Sequence, residues 1–486
     1  MGLSKYITLG TAFAVAVHAN PAALPQSPNF AQISSAPTVA NGPQDNGFGS
    51  QTATLITTFA SPSPSAAAAP TARGLEKRTF SGKDSSQCTC PFYDPWCFWN
   101  QPVCSSQPQS NKSTTTSTQA TTSATTGTTS ASTGTTSAST GTTTSLPSCP
   151  TSSPYTPYYP ALATGYTTDP ALAASRTATA TGACPTTPEK GTYCGFINPL
   201  DPCAPQPDGY GPVPNPDTPE AFESDPALQA KALTAPTSVP ASGGAVYNQV
   251  FKNLKAATQA QSYLGLRTLQ EYDVNKCAAF CDCTDLCTSF NMFIERDPSL
   301  NPTNNDSTYN PGYQTVWGQN CPNPPSMSSY KCTLWGSKID ANSATNTGQT
   351  QEQFEIVITA SDGYTKTDSA PAPQVPIPNP PKQPKNCGNK GIDAPKYCIG
   401  NNFFPGPFNP TSCYLYALAL NSANQKAGIS QSCKFFNAYY LLKNNQPHGT
   451  WCNLYNSEID VSFATYTGSK SGGDQYTCGQ SWGYYL

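Results

Sequence analysis

Histidine is almost missing from this chain: 486 residues contain 2, alongside only 3 methionines. That leaves little material for imidazole metal sites or for histidine acid–base chemistry near neutral pH. Charge is scarce as well, at 11% Asp, Glu, Lys and Arg against roughly 25% in an ordinary soluble domain. The net charge of −3 gives no basic field for nucleic acid, and the mean hydropathy of −0.43 does not suit residence in a membrane. With 37% hydrophobic residues, the length cannot be filled with packed core. What is abundant is 49 Pro and 20 Cys, beside 35 Gly, with Ser, Thr, Asn and Gln making up much of the rest. Twenty cysteines in a polar chain suit an oxidising compartment, where cross-links supplement a thin core.

The N-terminus carries Lys5, an apolar run from Tyr6 to Val17, and small residues at Val17 and Ala19. Twelve residues are too short to span a bilayer, which needs about 20, so residues 1–19 are expected to be a secretory signal cut after Ala19. Cleavage there removes His18 and leaves His448 as the sole histidine. Residues 20–78 have no hydrophobic period and are expected to be a disordered leader or propeptide. They end in Lys77-Arg78, which resembles the dibasic sites of kexin-type processing proteases. No run of about 10–20 apolar residues follows the last cysteine, Cys478, where the sequence reads Gln480 to Leu486, so no lipid-anchor signal is expected there.

Composition divides the remainder. Residues 79–104 hold Cys88, Cys90, Cys97 and Cys104 around Phe92, Tyr93, Trp96, Phe98 and Trp99. This reads as a small disulfide knot, with sugar stacking on the aromatics as the functional alternative. Residues 105–183 form a Ser/Thr/Pro-rich stalk, in which a Gly-Thr-Thr-Ser-Ala-Ser-Thr unit starts at Gly127 and Gly134 and restarts at Gly141. Such a tract cannot bury area and suits O-glycosylation. Residues 184–261 read as a Pro-rich approach segment, with a disulfide loop ending at Cys203 and one short helix from Pro219 to Ala235, capped by Asp217 or Thr218. A Pro-rich linker, 371–386, separates two richer segments, 262–370 and 387–486.

These two segments match. In the first, a strand over Ser262 to Leu269 precedes a helix from Val274 to Leu286 capped by Asp273, with Cys277 and Cys281 on one face. In the second, Asn409 caps a helix with Pro410 at its first position, Cys413 and Tyr416 inside it, and Gly428 as its stop. Cys287-x-x-Phe290-Asn291 then aligns with Cys433-x-x-Phe436-Asn437. Cys332-x-Leu334-Trp335 aligns with Cys452-x-Leu454-Tyr455, and Gly363-Tyr364 with Gly483-Tyr484. The gap from Cys332 to Tyr364 is 32 residues, the same as from Cys452 to Tyr484, which marks an internal repeat.

This pattern resembles the PAN/apple family, and more narrowly a group of secreted fungal proteins with tandem apple-like repeats and no assigned activity. The resemblance implies an α+β fold: two small disulfide-stapled modules, each an antiparallel sheet cradling one helix, behind a long disordered N-terminal region. It also implies that Cys277 pairs with Cys332 and Cys413 with Cys452, helix to strand. By the same analogy Cys281 pairs with Cys287 and Cys283 with Cys321, and Cys433 is counted among the bonded cysteines. A helix-to-strand bond closing the loop from Cys277 to Cys332 is worth about 4 kcal/mol in the chain-entropy model.

Catalytic and metal readings are weaker. The thiols from Cys277 to Cys287 have no histidine nearby and favour disulfides over a metal site. His448 lies in Asn444-Asn445-Gln446-Pro447-His448-Gly449, which reads as a solvated hairpin turn rather than a catalytic base. Glu295, Asp297, Asp340, Glu352, Glu355 and Asp362 could supply a glycosidase carboxylate pair, but no spacing selects two of them. Asn111 and Asn305 head N-glycosylation sequons. The expectation is a secreted, extracellular or wall-associated fungal glycoprotein that binds polysaccharide or an extracellular protein. It would have no catalytic residues, cofactor, metal or nucleic-acid partner. The candidate contact residues are Trp317, Trp335, Trp451 and Tyr455, of which Trp335 and Tyr455 occupy matched stations and read rather as core. A structural wall glycoprotein and, further off, a secreted hydrolase are the alternatives.

Overall fold

In the computed structural model, residues 28–43, 50–55, 59, 62, 157–160, 171, 197, 199–304, 317, 318, 320–367 and 372–486 are described. The expected signal peptide with its Ala19 cut, Arg78, the knot 79–104, Asn111 and Asn305 lie outside them. The described residues begin with helix α1 (Phe30–Ser34) and strand β1 (Ser50–Thr52). Helices α2 (Pro219–Ser224) and α3 (Pro226–Leu233) follow, then strands β2 (Ser238–Pro240), β3 (Val246–Leu254), β4 (Ala257–Thr258) and β5 (Tyr263–Leu269). Helix α4 (Val274–Asp282) leads to β6 (Ser289–Pro298), β7 (Ser326–Trp335), β8 (Ala344–Asn346), β9 (Gly348–Gln351) and β10 (Phe354–Lys366). These strands build an antiparallel sheet in the order β1-β5-β7-β6-β10-β3-β2, with β9 beside β10 and a separate β4·β8 ribbon.

The second module repeats the plan. It comprises β11 (Lys385–Gly388), β12 (Gly391–Ile392), β13 (Cys398–Pro405), helix α5 (Pro410–Lys426), β14 (Phe435–Lys443), β15 (Gln446–Tyr455), β16 (Ala464–Tyr466), β17 (Gly468–Ser471) and β18 (Asp474–Tyr485). Its order, β11-β18-β14-β15-β13, is β3-β10-β6-β7-β5 of the first module, and β17 and the β12·β16 ribbon stand where β9 and β4·β8 do.

The shared motifs now have a physical reason. Side chains alternate across a strand, so Phe290, Met292 and Ile294 face the helices, together with Cys332, Leu334 and Tyr364. Phe436, Ala438 and Tyr440 do the same against Cys413, Tyr416 and Leu420 of α5. Phe290 stacks on Tyr364 with centroids 4.8 Å apart, and Phe436 on Tyr484 at 4.9 Å. The asparagine beside each phenylalanine turns the other way and ties three segments. Asn291 Oδ1 accepts from Thr258 N at 2.8 Å, while its Nδ2 donates to Ser361 Oγ and Asp362 O at 2.9 Å each. Asn437 Oδ1 accepts from Ile392 N at 2.8 Å, and its Nδ2 donates to Ser481 Oγ and Trp482 O at 3.0 Å each. A Cβ on Gly363 or Gly483 would collide with the ring of Phe251 or Phe435, which accounts for glycine before each tyrosine.

Helix ends follow their chemistry. Asp273 Oδ1 accepts from Asn275 N at 2.9 Å and Lys276 N at 3.0 Å, capping α4. The α4 helix stops at Asp282, short of the expected Leu286, because Cys281 must reach Cys287 and Leu286 turns to φ +67°. On α5, Gly428 at φ +71° donates to Gln425 O and Ile429 N to Asn424 O, a Schellman stop. The single helix expected over Pro219–Ala235 is two. Pro226 cannot continue α2, so Asp225 ends it and caps α3 by accepting from Leu228 N at 2.9 Å.

The disulfides Cys277–Cys332, Cys281–Cys287 and Cys413–Cys452 join the residues the resemblance paired. Two pairings differ. Cys321 bonds Cys203, 118 residues away, instead of Cys283, and this also replaces the local loop expected to end at Cys203. Cys283 is itself disulfide-bonded, at the exposed end of α4. Cys433 is not bonded: it is a buried thiol in the helix-side core. The boundary at 262 is also corrected, because β2, β3 and β4 belong to the first module although they lie in the supposed approach segment. Likewise β11 begins within the expected linker, and the leader contributes α1 and β1.

Candidate functional site

The modules meet at the turn after β13. Phe408 N donates to Gly336 O at 2.9 Å, and Gln446 Nε2 to Asn342 O at 2.8 Å. The chain leaves β10 and returns to β11 through the extended Pro-rich linker, where Pro373 O accepts from Tyr484 OH at 3.0 Å. Val375 and Ile377 of the linker pack against the second core. Between linker and modules lies a cleft of about 920 Å³, at the upper end of the roughly 300–1,000 Å³ usual for ligand pockets.

One wall is a patch of the second module. Trp482 and Gln480, on either side of Ser481 in β18, both line it. Asn386 on β11 pairs directly with Trp482, which brings their side chains together. Trp482 is half-buried, with part of its ring on the core and part lining the cleft. Asn389 and Gln374 extend the amide-rich rim, and buried Phe408 lies at the base.

The opposite wall comes from the first module. Lys366 Nζ bonds Asp282 Oδ1 at 2.8 Å and lies 5.1 Å from the centre of the Tyr247 ring. Asp282 also accepts from Ser242 N at 2.8 Å and Tyr247 OH at 2.9 Å, so this lining charge is matched by its partners. The exposed Lys338 and Asp285 carry opposite signs. Such a cleft offers an indole face and several amides that donate and accept, in a nearly neutral field.

No family model, curated protein or solved structure matches the chain.

The aromatics singled out in the sequence do not line the cleft. Trp335, Trp451 and Tyr455 are fully buried, with Trp335 Nε1 donating to Thr333 Oγ1 at 3.1 Å and Trp451 Nε1 to Asn453 Oδ1 at 2.9 Å. They are core residues. Trp317 is partly buried against the Cys203–Cys321 cluster. The cleft aromatic missed in the sequence is Trp482, and the repeat carried its signal. The stations Ser361-Asp362-Gly363-Tyr364 and Ser481-Trp482-Gly483-Tyr484 differ only in replacing Asp with Trp.

The carboxylates fall into separate structural settings. Glu295 and Asp297 meet around the buried Lys331, whose Nζ bonds Glu295 and lies 3.0 Å from Asp297 Oδ2. Burial drives the Asp297 carboxyl well above the usual range against the pull of Lys331, with Glu295 adding to the rise. Burial opposes the charge on Lys331, but the two carboxylates outweigh it and push its pKa up. Asp340 caps a short 3₁₀ turn, accepting from Asn342 N at 2.9 Å. Glu355 is exposed, and Glu352, exposed at the β9–β10 turn, accepts from Asn304. Asp362 is buried and accepts from Asn253 N at 2.8 Å, and burial pushes its carboxyl up to about 6.

His448 is not a turn residue. Asn444 and Asn445 make the turn with φ of 52° and 63°, and His448 stands in β15. It stacks on Phe403 with centroids 5.1 Å apart, and burial, aided by Lys443, lowers its pKa to about 4. No group of three or more His, Cys, Asp or Glu able to hold a metal occurs among the described residues. No helix among them is long and apolar enough to cross a membrane.

Proposed function

We propose that this protein is a secreted, non-catalytic glycoprotein whose two apple-like modules bind a neutral carbohydrate, at the cell wall or in the extracellular space, in the cleft between them. The observation that carries the reading is the patch of Trp482, Gln480 and Asn386 on one wall of that cleft. An indole face suits the C–H face of a pyranose ring, and neighbouring amides can donate to and accept from adjacent hydroxyls. The matched charges opposite favour a neutral ligand over an anionic one. The repeated strand order and the helix-to-strand bonds Cys277–Cys332 and Cys413–Cys452 support the apple-like reading.

The test is a glycan array probed with the full chain and with Trp482→Ala. Binding to a set of neutral oligosaccharides that the variant loses is the expected result. Signal on no glycan, with the protein still retained by wall preparations, would replace this reading with that of a structural wall component.

A further inference from the structure

A leader destined for removal has no need to fit the mature protein, yet residues 28–43, 50–55 and Phe59 of this one touch both modules. On the second module, Ile33 is only 6% exposed in a cluster with Phe403, Trp451 and Tyr476, and Phe30 packs against Tyr476 at 4.9 Å. The segment then crosses to the first module, where Asn41 O accepts from Ala260 N at 2.9 Å and Ala40 and Ala53 join the cluster around Tyr263 and Trp335.

Strand β1 adds itself to the free side of β5, pairing Ser50 with Arg267 and Thr52 with Gly265. Ala53 N continues the ladder to Leu264 O at 3.0 Å, and Arg267 Nη1 donates to Gln51 O at 2.7 Å. A side chain at position 265 would collide with Gln51 O, so glycine there admits the strand. Finally Phe59 returns to the second module, edge-on to Phe404 at 5.8 Å and Tyr416 at 5.5 Å. Strand addition to an open sheet edge is a general mode of peptide recognition, with main-chain bonds giving affinity and side-chain pockets giving specificity.

We propose that the leader, through residues 28–43, 50–55 and Phe59, is an inter-module brace that stays bound after the chain is cut at Lys77-Arg78. The β5 edge and the second-module side chains around Ile33 and Phe59 would then form a binding surface for this segment. The cut itself is hydrolysis by a dibasic-specific protease: one water is consumed, the bond between Arg78 and Thr79 breaks, and a carboxylate and an amine are left. The mature protein is then two polypeptides held without a covalent link between them. This does not depend on what the cleft binds.

The full chain is treated with such a protease and run on size exclusion in native buffer, and the peak is analysed by denaturing mass spectrometry. The fragment ending at Arg78 should co-elute with the fragment starting at Thr79. The Ile33→Asp, Phe59→Ala double variant should release it at least about tenfold more readily, since a buried carboxylate replaces an apolar anchor. Elution of the two fragments apart, with the larger still folded, would overturn the proposal. Hydrogen exchange on the uncut chain gives a second reading that needs no cleavage. The Ala53 amide should be protected in the parent and not in the double variant, and exchange at the rate of a free peptide in the parent would also overturn the proposal.

Discussion

The two modules share a strand order and a register but stabilise the same places with different chemistry. In the first, Lys331, Glu295 and Asp297 form a buried ion cluster. By the motif alignment the same stations of the second are Trp451, Leu441 and Lys443, with Trp451 and Leu441 packed in one apolar cluster. In the first, Cys281 on the helix bonds Cys287. In the second, Ala417 stands at the helix position, and burial pushes the unbonded Cys433 thiol up to about 12. Where the first buries Asp362, the second turns Trp482 toward the cleft. The frame tolerates ions or rings, cross-link or thiol, so long as the stacked Phe–Tyr pair and the asparagine tie remain. Of the stations that change, the Asp362-to-Trp482 position is the one whose side chain lines the cleft in the second module.

This contrast can be broken at its strongest point first. Lys331→Met would strand two carboxylates in the first core and should cost about 4 kcal/mol in urea unfolding. Converting Glu295, Asp297 and Lys331 together to apolar residues of similar volume should restore most of that loss. Next, Asn437→Leu should cost about 3 kcal/mol by leaving Ile392 N, Ser481 Oγ and Trp482 O without their shared partner, and Asn291→Leu should do the same in the first module.

A third substitution would make the modules more alike. Ala417→Cys should form a bond with Cys433, since both positions lie in one buried cluster. In the chain-entropy model it should stabilise the second module by about 3 kcal/mol, read as a raised unfolding midpoint that reductant abolishes. An unchanged midpoint, with both thiols still alkylatable after unfolding, would show that the helix positions are not equivalent.

The smallest effect is in pH. Asp362 titrates near 6 in the folded state, above its ordinary 3.8, so its burial penalises the fold above pH 6 and the penalty fades as pH falls toward 4. His448 runs the other way, with a folded value near 4 below its ordinary 6.5, so it costs stability as pH falls from 6.5 toward 4. Between pH 6.5 and 4.5 each contribution is about 2 kcal/mol at most, with opposite signs. Asp362→Asn should therefore reveal a net loss on acidification, and His448→Gln a net gain, in melting curves across that range.

Much of this frame was legible in the sequence because it rests on short-range signals. The Cys-x-x-Phe-Asn, Cys-x-Leu-aromatic and Gly-Tyr stations mark three adjacent strands, and the spacing between the last two is identical in both modules. The missed parts depend on distant partners. Cys203 bonds Cys321 across 118 residues, which no local spacing announces. Strand β3 lies near the sheet edge with a mixed exposure pattern, so its alternation is weak and the Pro-rich residues before it dominate the reading. The described leader residues touch the modules at separated points, through a few side chains and one three-residue strand, so no period marks them. Trp482 was visible but grouped with the C-terminal station, and only the Asp-to-Trp difference between the repeats sets it apart.

The central claim is that a neutral glycan occupies the cleft against Trp482. Isothermal titration of the full chain with the oligosaccharide that gives the strongest array signal, beside Trp482→Ala and the Trp335→Phe control, tests it most directly. The first substitution should weaken binding at least about tenfold, the worth of one lost stacking face, while the second leaves affinity unchanged. Equal affinity for Trp482→Ala and the parent chain would contradict it.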